Sequence, residues 1–228
     1  MASLAQALGS TVGRKYVMAV TGLIWVGFLA THLAGNLLLL APDSGQAFNR
    51  YAHSLVELGP LLWVAEAFLA LTLVVHIYNA VKISLAKRLA RTERYQVSAN
   101  AGGKSRKTIA SISMIYTGGL MALFIALHLK GFKFGEEYTT KIDGEEMRDL
   151  YRLVVESYQQ PEIVGFYLFM MVVVGVHLRH AVWSAFQSLG LANPKWLGLI
   201  EKAGFAFAVL VSGGFFIIPI AIFLGVGQ

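Results

Sequence analysis

Six histidines and no cysteine set the chemistry open to this chain. Without thiols it cannot form disulfides, hold an iron–sulfur cluster, build a thiolate zinc site or attach a cofactor through thioether bonds. Any metal or redox work must therefore use histidine or oxygen ligands. Four of the histidines, His32, His76, His128 and His177, fall one each in four successive apolar segments. An ionisable side chain at membrane depth is costly and is a functional hypothesis by default. A single such histidine is readily satisfied by a hydrogen bond to a neighbouring helix, but one on each of four successive helices asks for a shared cause.

The elements that must position them follow from composition. Of 228 residues, 56% are hydrophobic and 14% charged, whereas a soluble domain carries about 25% charged residues; mean hydropathy is +0.61. Five apolar segments, about 15–40, 60–86, 108–131, 161–188 and 199–225, each reach the length of about 20 residues that a spanning helix needs. The first is too long for a signal peptide and lacks a cleavage pattern, so it reads as a retained span. The expected fold is an all-α membrane protein, one transmembrane domain over 1–228, whose first four spans form an up-down bundle. An odd number of spans separates the termini. Of the 19 Lys and Arg, 13 fall on the side of the N-terminus, which by the positive-inside bias is the cytoplasm, leaving the C-terminus outside a cytoplasmic (inner) membrane. The net charge of +6 is thus explained by topology without nucleic acid. The link 87–107 is the basic cytoplasmic loop, a topology signal or a docking surface for an acidic partner. Both outer links read as short amphipathic helices lying on the membrane. One is capped by Asp43 or Ser44 and carries Phe48, Tyr51 and Leu55; the other carries Met147, Leu150, Tyr151, Val154 and Tyr158. No internal repeat is evident.

Depth sorts the four histidines into two levels. At about 1.5 Å per residue, His32 lies about 27 Å beyond Arg14 and His128 about 31 Å beyond Lys107, near the outer ends of their helices. His76 precedes Lys82 by about 9 Å and His177 lies about 24 Å inward from Pro161, which puts both at an inner level. In an up-down bundle, helices 1 and 3 share one diagonal and helices 2 and 4 the other. Each level then holds two histidines facing across the core, the arrangement of two bis-histidine b-type haems stacked along the membrane normal, with His32 and His128 on the outer iron and His76 and His177 on the inner. Zinc or copper fits less well, because each level offers two nitrogens where about four ligands are wanted. Ala34, Gly35, Ala80, Gly131 and Gly175, within a turn of these histidines, leave room for a flat macrocycle or serve close helix packing. His180, three residues past His177, is an alternative inner ligand, or a propionate contact together with Arg179; depth favours His177. Lys82 and Arg14 are further inner propionate candidates or snorkelling anchors. His53 in the outer link is a propionate or quinone contact, or a surface histidine.

These residues are familiar in combination. THLAGN around His32, AFNRYAH ending at His53, VVHIYNAV around His76, LHLKGFKF around His128 and GVHLRHAVWSAFQSLGL around His177 resemble the cytochrome b membrane anchor of type B succinate:quinone oxidoreductases. That group has five helices, two haems and a single anchor polypeptide, and the resemblance runs over about residues 12–226. The family pattern also pairs the first with the third histidine and the second with the fourth, and places an aromatic six residues after the helix 4 ligand, as Trp183 follows His177. The resemblance implies a complex in which a flavoprotein subunit oxidises succinate and an iron–sulfur subunit passes electrons to this anchor. Through the two haems they would reach a membrane quinone, menaquinone or another, or flow in reverse for fumarate reduction; the whole complex can form a higher oligomer. Succinate chemistry itself would lie elsewhere, since the chain has no Gly-rich dinucleotide motif. Quinone reduction needs polar groups in an apolar slot near a haem: Glu57 and Glu66 on the outer side, Tyr16, Ser111, Ser113 and Tyr116 on the inner. A same-chemistry alternative is the cytochrome b anchor of a hydrogenase or formate dehydrogenase. A different-class alternative is a non-haem transporter or structural anchor whose histidines merely bridge helices.

Overall fold

The computed structural model describes residues 3–90, 108–193 and 195–227; within the basic loop, 91–107 lie outside the described residues. A short helix α1 (Leu4–Gly9) leads into α2 (Thr11–Asn36), which continues as a 3-10 turn, Leu37–Leu40. Then come α3 (Gln46–Val56), α4 (Pro60–Leu89), α5 (Ile109–His128) extended by a π-helical turn Leu129–Lys133, a hairpin of β1 (Thr139–Ile142) and β2 (Glu145–Arg148), α6 (Leu150–Tyr158), α7 (Pro161–Ser188) and α8 (Leu197–Phe223). Five helices, α2, α4, α5, α7 and α8, are long and apolar enough to cross a membrane, which makes this a multi-pass, overwhelmingly helical membrane protein. Their ends fall within a few residues of the expected segments.

Local chemistry fixes where the long helices start. The Ser10 hydroxyl accepts from Gly13 N at 3.0 Å. Thr108 and Ser111 cap α5 reciprocally. Pro60 and Pro161 open α4 and α7 at the position where a missing N–H costs nothing. Contacts then set direction. Thr21 meets His76 while Trp25 meets Thr72, so α2 and α4 run antiparallel. Thr117 meets His177 while His128 meets Tyr167, so α5 and α7 do too. Laterally α2 packs on α4 and α7, α5 packs on α7, and α8 packs mainly on α7 and also on α2. The α2/α5 and α4/α7 pairs are thus the diagonals.

Burial divides the helices. The residues α4 buries are Thr72 and Asn79, while Trp63, Val64 and Leu71 are exposed; α2 buries Ala19, Thr21 and Gly35, and α5 buries Ala110 and Thr117. On these three helices small and polar side chains face inward and large apolar ones outward, as lipid solvation allows, whereas α7 and α8 bury an apolar seam that includes Met170, Val174, Leu178, Val211 and Ile218.

One end of the bundle carries a cap. Phe48 of α3, Tyr151, Val154 and Tyr158 of α6, Leu39, Val164, Ile218 and Ile222 share one apolar core. The N-cap position of α3 is Gly45, neither Asp43 nor Ser44, and it offers no side-chain cap; Asp43 contributes from the preceding turn, its carboxylate accepting from Gly45 N at 3.1 Å and Ala47 N at 2.8 Å. The second outer link differs from expectation: Met147 lies in β2 and the helix begins at Leu150. Asp143 and Gly144, at φ 54° and 88°, form the tight turn that pairs Ile142 with Glu145.

Candidate functional site

The four histidines lie at two levels, and their hydrogen bonds come from the helix next door. Away from the cap, the His76 ring reaches α2. Its Nδ1 lies 3.1 Å from the Met18 carbonyl and 3.1 Å from Thr21 Oγ1. A carbonyl only accepts, so Nδ1 carries the proton and donates. The Thr21 hydroxyl in turn donates to Val17 O at 2.8 Å, which leaves its oxygen free to accept. His177 repeats the contact on α5: its Nδ1 lies 3.0 Å from Thr117 Oγ1, which is 3.1 Å from Ser113 O, and by equivalence with His76 its Nδ1 is assigned the proton. In both cases Nε2 keeps its lone pair, as in metal-binding histidines whose other nitrogen is held by an acceptor. A glycine follows each threonine. A Cβ on Gly22 would crowd His76 Cε1 at 3.2 Å, and one on Gly118 would stand in ordinary contact with His177 Cε1 at 3.5 Å, so both rings pack against a glycine and the His76 ring needs it.

At the cap end, His32 and His128 meet across the α2/α5 diagonal with ring centres 5.9 Å apart and planes at 89°. Two imidazoles that each place a nitrogen about 2 Å from one metal have centres about 6 Å apart, so these two residues would be close enough to hold one metal ion between them. His128 Nδ1 is 3.2 Å from the Tyr167 hydroxyl; His32 stacks on Phe28 at 5.2 Å. His76 and His177 make no ring contact with each other; each is held by the helix beside its own. Among the described residues no three His, Asp or Glu side chains group as a metal site. The donor set is two pairs of imidazoles, and pairs are what a macrocycle that supplies four nitrogens of its own requires.

Aligning the two threonine–glycine pairs brings out an internal repeat, a correction to the sequence reading. Thr21-Gly22 stands 11 residues before His32, and Thr117-Gly118 stands 11 before His128; both stretches read T-G-x5-F-x-A-x-H. Pro60 precedes His76 by 16 residues, and Pro161 precedes His177 by 16. VHIYNAV at 75–81 matches VHLRHAV at 176–182. The α2/α4 and α5/α7 pairs are thus two versions of one unit. His32 and His128 are equivalent positions, and so are His76 and His177. His180 corresponds to Asn79, whose side chain donates to Val75 O at 2.8 Å, and not to His76.

The remaining candidates scatter. His180 has no hydrogen bond among the described residues. Arg179 lies over the Phe205 ring of α8 at 5.4 Å, Lys82 over Tyr78 at 5.7 Å, and Arg14 donates to Gly9 O at 2.9 Å. His53 and Glu57 stand 3.7 Å apart one turn along α3. Glu66 pairs with Lys133, bridging α4 to the end of α5 where those helices touch least. Tyr16 and Tyr116 are exposed, and Ser113 and Ser111 bond within α5 or its cap. Of the small residues near the histidines, Gly35 takes the Tyr51 ring and Gly175 faces Ser212. The glycines that border histidine rings, Gly22 and Gly118, sit on the neighbouring helices. Compared with protein-family models, with curated proteins and with solved structures, the chain matches none.

Proposed function

We propose that this chain is the membrane-anchor electron-transfer subunit of a succinate:quinone oxidoreductase, similar to the type B cytochrome b anchors. The reading is carried by one observation: the four membrane histidines form two pairs, and the members of each pair occupy equivalent positions in two like helix pairs. At each level, one imidazole from each unit would meet a ligand placed between the units, His32 and His128 at the cap end and His76 and His177 at the other. Two b-type haems, when bound, supply one-electron transfer along the membrane normal. His32 and His128 hold the iron nearer the cap, His76 and His177 the other. Phe28, Phe124 and Phe132 line the first pair and keep water from it. Because the chain has no cysteine, the clusters that feed it belong to an iron–sulfur subunit, with a flavoprotein subunit beyond; the basic residues at the end away from the cap offer that subunit a cytoplasmic docking face. A quinone, menaquinone by resemblance, takes electrons at the cap side. There Glu66, held by Lys133, and the His53–Glu57 pair are the polar groups that can hold or move a proton.

Reduced-minus-oxidised optical spectra of the purified chain test the reading. Two b-type components are expected; none leaves a transporter or structural anchor. Co-purification of a flavoprotein and an iron–sulfur protein with succinate-reducible haem separates the proposal from a hydrogenase or formate dehydrogenase anchor.

A further inference from the structure

The repeat and the threonine–glycine pairs point to a role for two residues outside the histidine set. We propose that Thr21 and Thr117 are positioning residues for the inner pair: each accepts the Nδ1–H of a histidine from the adjacent helix and so fixes the tautomer that turns Nε2 of His76 and His177 toward one shared ligand. The inference rests on the haem reading above and adds to it which groups hold the ligands.

Geometry carries it. Thr21 and Thr117 are equivalent in the repeat and both are buried. The Met18 carbonyl, 3.1 Å from His76 Nδ1, makes that nitrogen the donor; each threonine has a carbonyl of its own helix to take its hydroxyl hydrogen, Val17 O at 2.8 Å and Ser113 O at 3.1 Å, which frees the oxygen to accept from the histidine at 3.1 and 3.0 Å. Gly22 and Gly118 admit the ring edge beside that oxygen. A buried threonine in a spanning helix ordinarily satisfies itself by this back-bond alone and needs no partner; here the same offset on two helices delivers a second contact to a histidine each time. The cap-end pair has no such device. His128 meets a tyrosine hydroxyl, and His32 meets Asn36 Nδ2 at 3.4 Å, a group already donating to His32 O at 2.8 Å. An Nδ1–H held by an acceptor makes imidazole a better donor to a metal and favours the oxidised, more positive iron.

The test uses the intact complex, or the full chain in detergent, with Thr21→Val, Thr117→Val and the corresponding Thr→Ser variants, read by haem content and by potentiometric titration of each haem. Valine keeps the shape and removes the acceptor; serine keeps the acceptor and removes the methyl. Both valine variants are expected to raise the midpoint potential of one and the same haem, leave the other unchanged, and weaken retention of the affected haem about tenfold; both serine variants return to the wild-type value. Outright loss of that one haem in the valine variants, with its retention in the serine variants, supports the inference equally. It is overturned if haem is retained with no shift, if the two valine variants move different haems, or if serine behaves as valine. A wild-type chain that binds no haem overturns the underlying reading and this inference with it, whereas two wild-type haems indifferent to valine overturn this inference alone.

Discussion

A neutral histidine ring always has one nitrogen with a free lone pair, and the group that engages the other nitrogen decides which one that is and which way it points. For His76 and His177 the engaging helices are α2 and α5, so neither histidine reaches across the core unaided. Under the proposed two-haem reading, replacing His76 or His177 by Ala is expected to abolish one haem and leave the other. Replacing His32 or His128 abolishes the second, as read by the two components of the low-temperature difference spectrum; members of one pair affecting different haems would refute the diagonal arrangement. His180→Ala should leave both components in place, since the repeat aligns His180 with Asn79, and bleaching of the inner component would reassign the ligand. The histidines were legible in the sequence because an ionisable group in an apolar segment is rare. Thr21, Thr117, Gly22 and Gly118 were not, because threonine and glycine are common in spanning helices and each acts on a ring 55–60 residues away. The signal that would have found them is the shared T-G-x5-F-x-A-x-H spacing, visible once the first and third spans are laid side by side.

At the scale of elements, the cap is held to the bundle end by a few polar anchors around an apolar core. Asn49, 3% exposed, donates to Asp149 Oδ1 at 2.8 Å and accepts from Tyr151 N at 2.9 Å, tying α3 to α6. Asn49→Ala leaves the buried Tyr151 N–H without its acceptor, while Asp149 keeps Arg152 N, and should cost about 2 kcal/mol, seen as a lower Tm in detergent. Gly45 has φ 80° and a Cβ there would stand 2.0 Å from the Tyr151 ring. Gly45→Ala therefore combines a left-handed backbone penalty of about 1–2 kcal/mol with a clash, and should destabilise more than Gly9→Ala, whose Cβ meets nothing. Burial, and after it the Asp43 and Asp149 carboxylates, hold the Tyr151 phenol above its ordinary value, so it remains a donor to the Gly227 carbonyl. The contribution of a group whose folded value is raised is complete below its unfolded value of about 10 and is lost as pH rises through the folded one. Tyr151→Phe should accordingly lower Tm at neutral pH, with the gap to wild type closing only in strong alkali; a gap that closes toward acid would contradict this. The two cap helices could be read from amphipathic spacing. The hairpin could not, since TTKI and EEMR lack an alternating apolar face, although the Asp143-Gly144 pair between them is a turn signal that could have been given more weight.

At the scale of the molecule, the two repeated helix pairs do not close into a symmetric bundle. The α2/α7 seam is packed, and α8 lies against both of its helices. Among the described residues, the equivalent α4/α5 seam has no further helix against it and is bridged by Glu66 and Lys133. That asymmetry was beyond the sequence, because all five spans look alike in length and apolarity, and lateral order depends on which faces carry small and polar residues. The antiparallel contacts do settle that the cap, the end of α2 and the end of α8 share one end of the bundle, while the starts of α2, α5 and α8 share the other. Which end faces the cytoplasm rests on charge alone, and a chain without cysteine allows a clean test. Single cysteines at exposed Ser54 and Thr139 in the cap, and at exposed Lys87 and Lys195 at the opposite end, can each be probed with a membrane-impermeant maleimide in intact cells. Ser54→Cys and Thr139→Cys should label before lysis, and Lys87→Cys and Lys195→Cys only after it. The reverse pattern would invert the orientation and move the docking face for an iron–sulfur partner to the wrong compartment. Labelling of all four from one side would break the five-span topology itself, because Lys87 and Ser54 are separated by a single helix, α4, whose crossing both the histidine levels and the diagonal pairing presuppose.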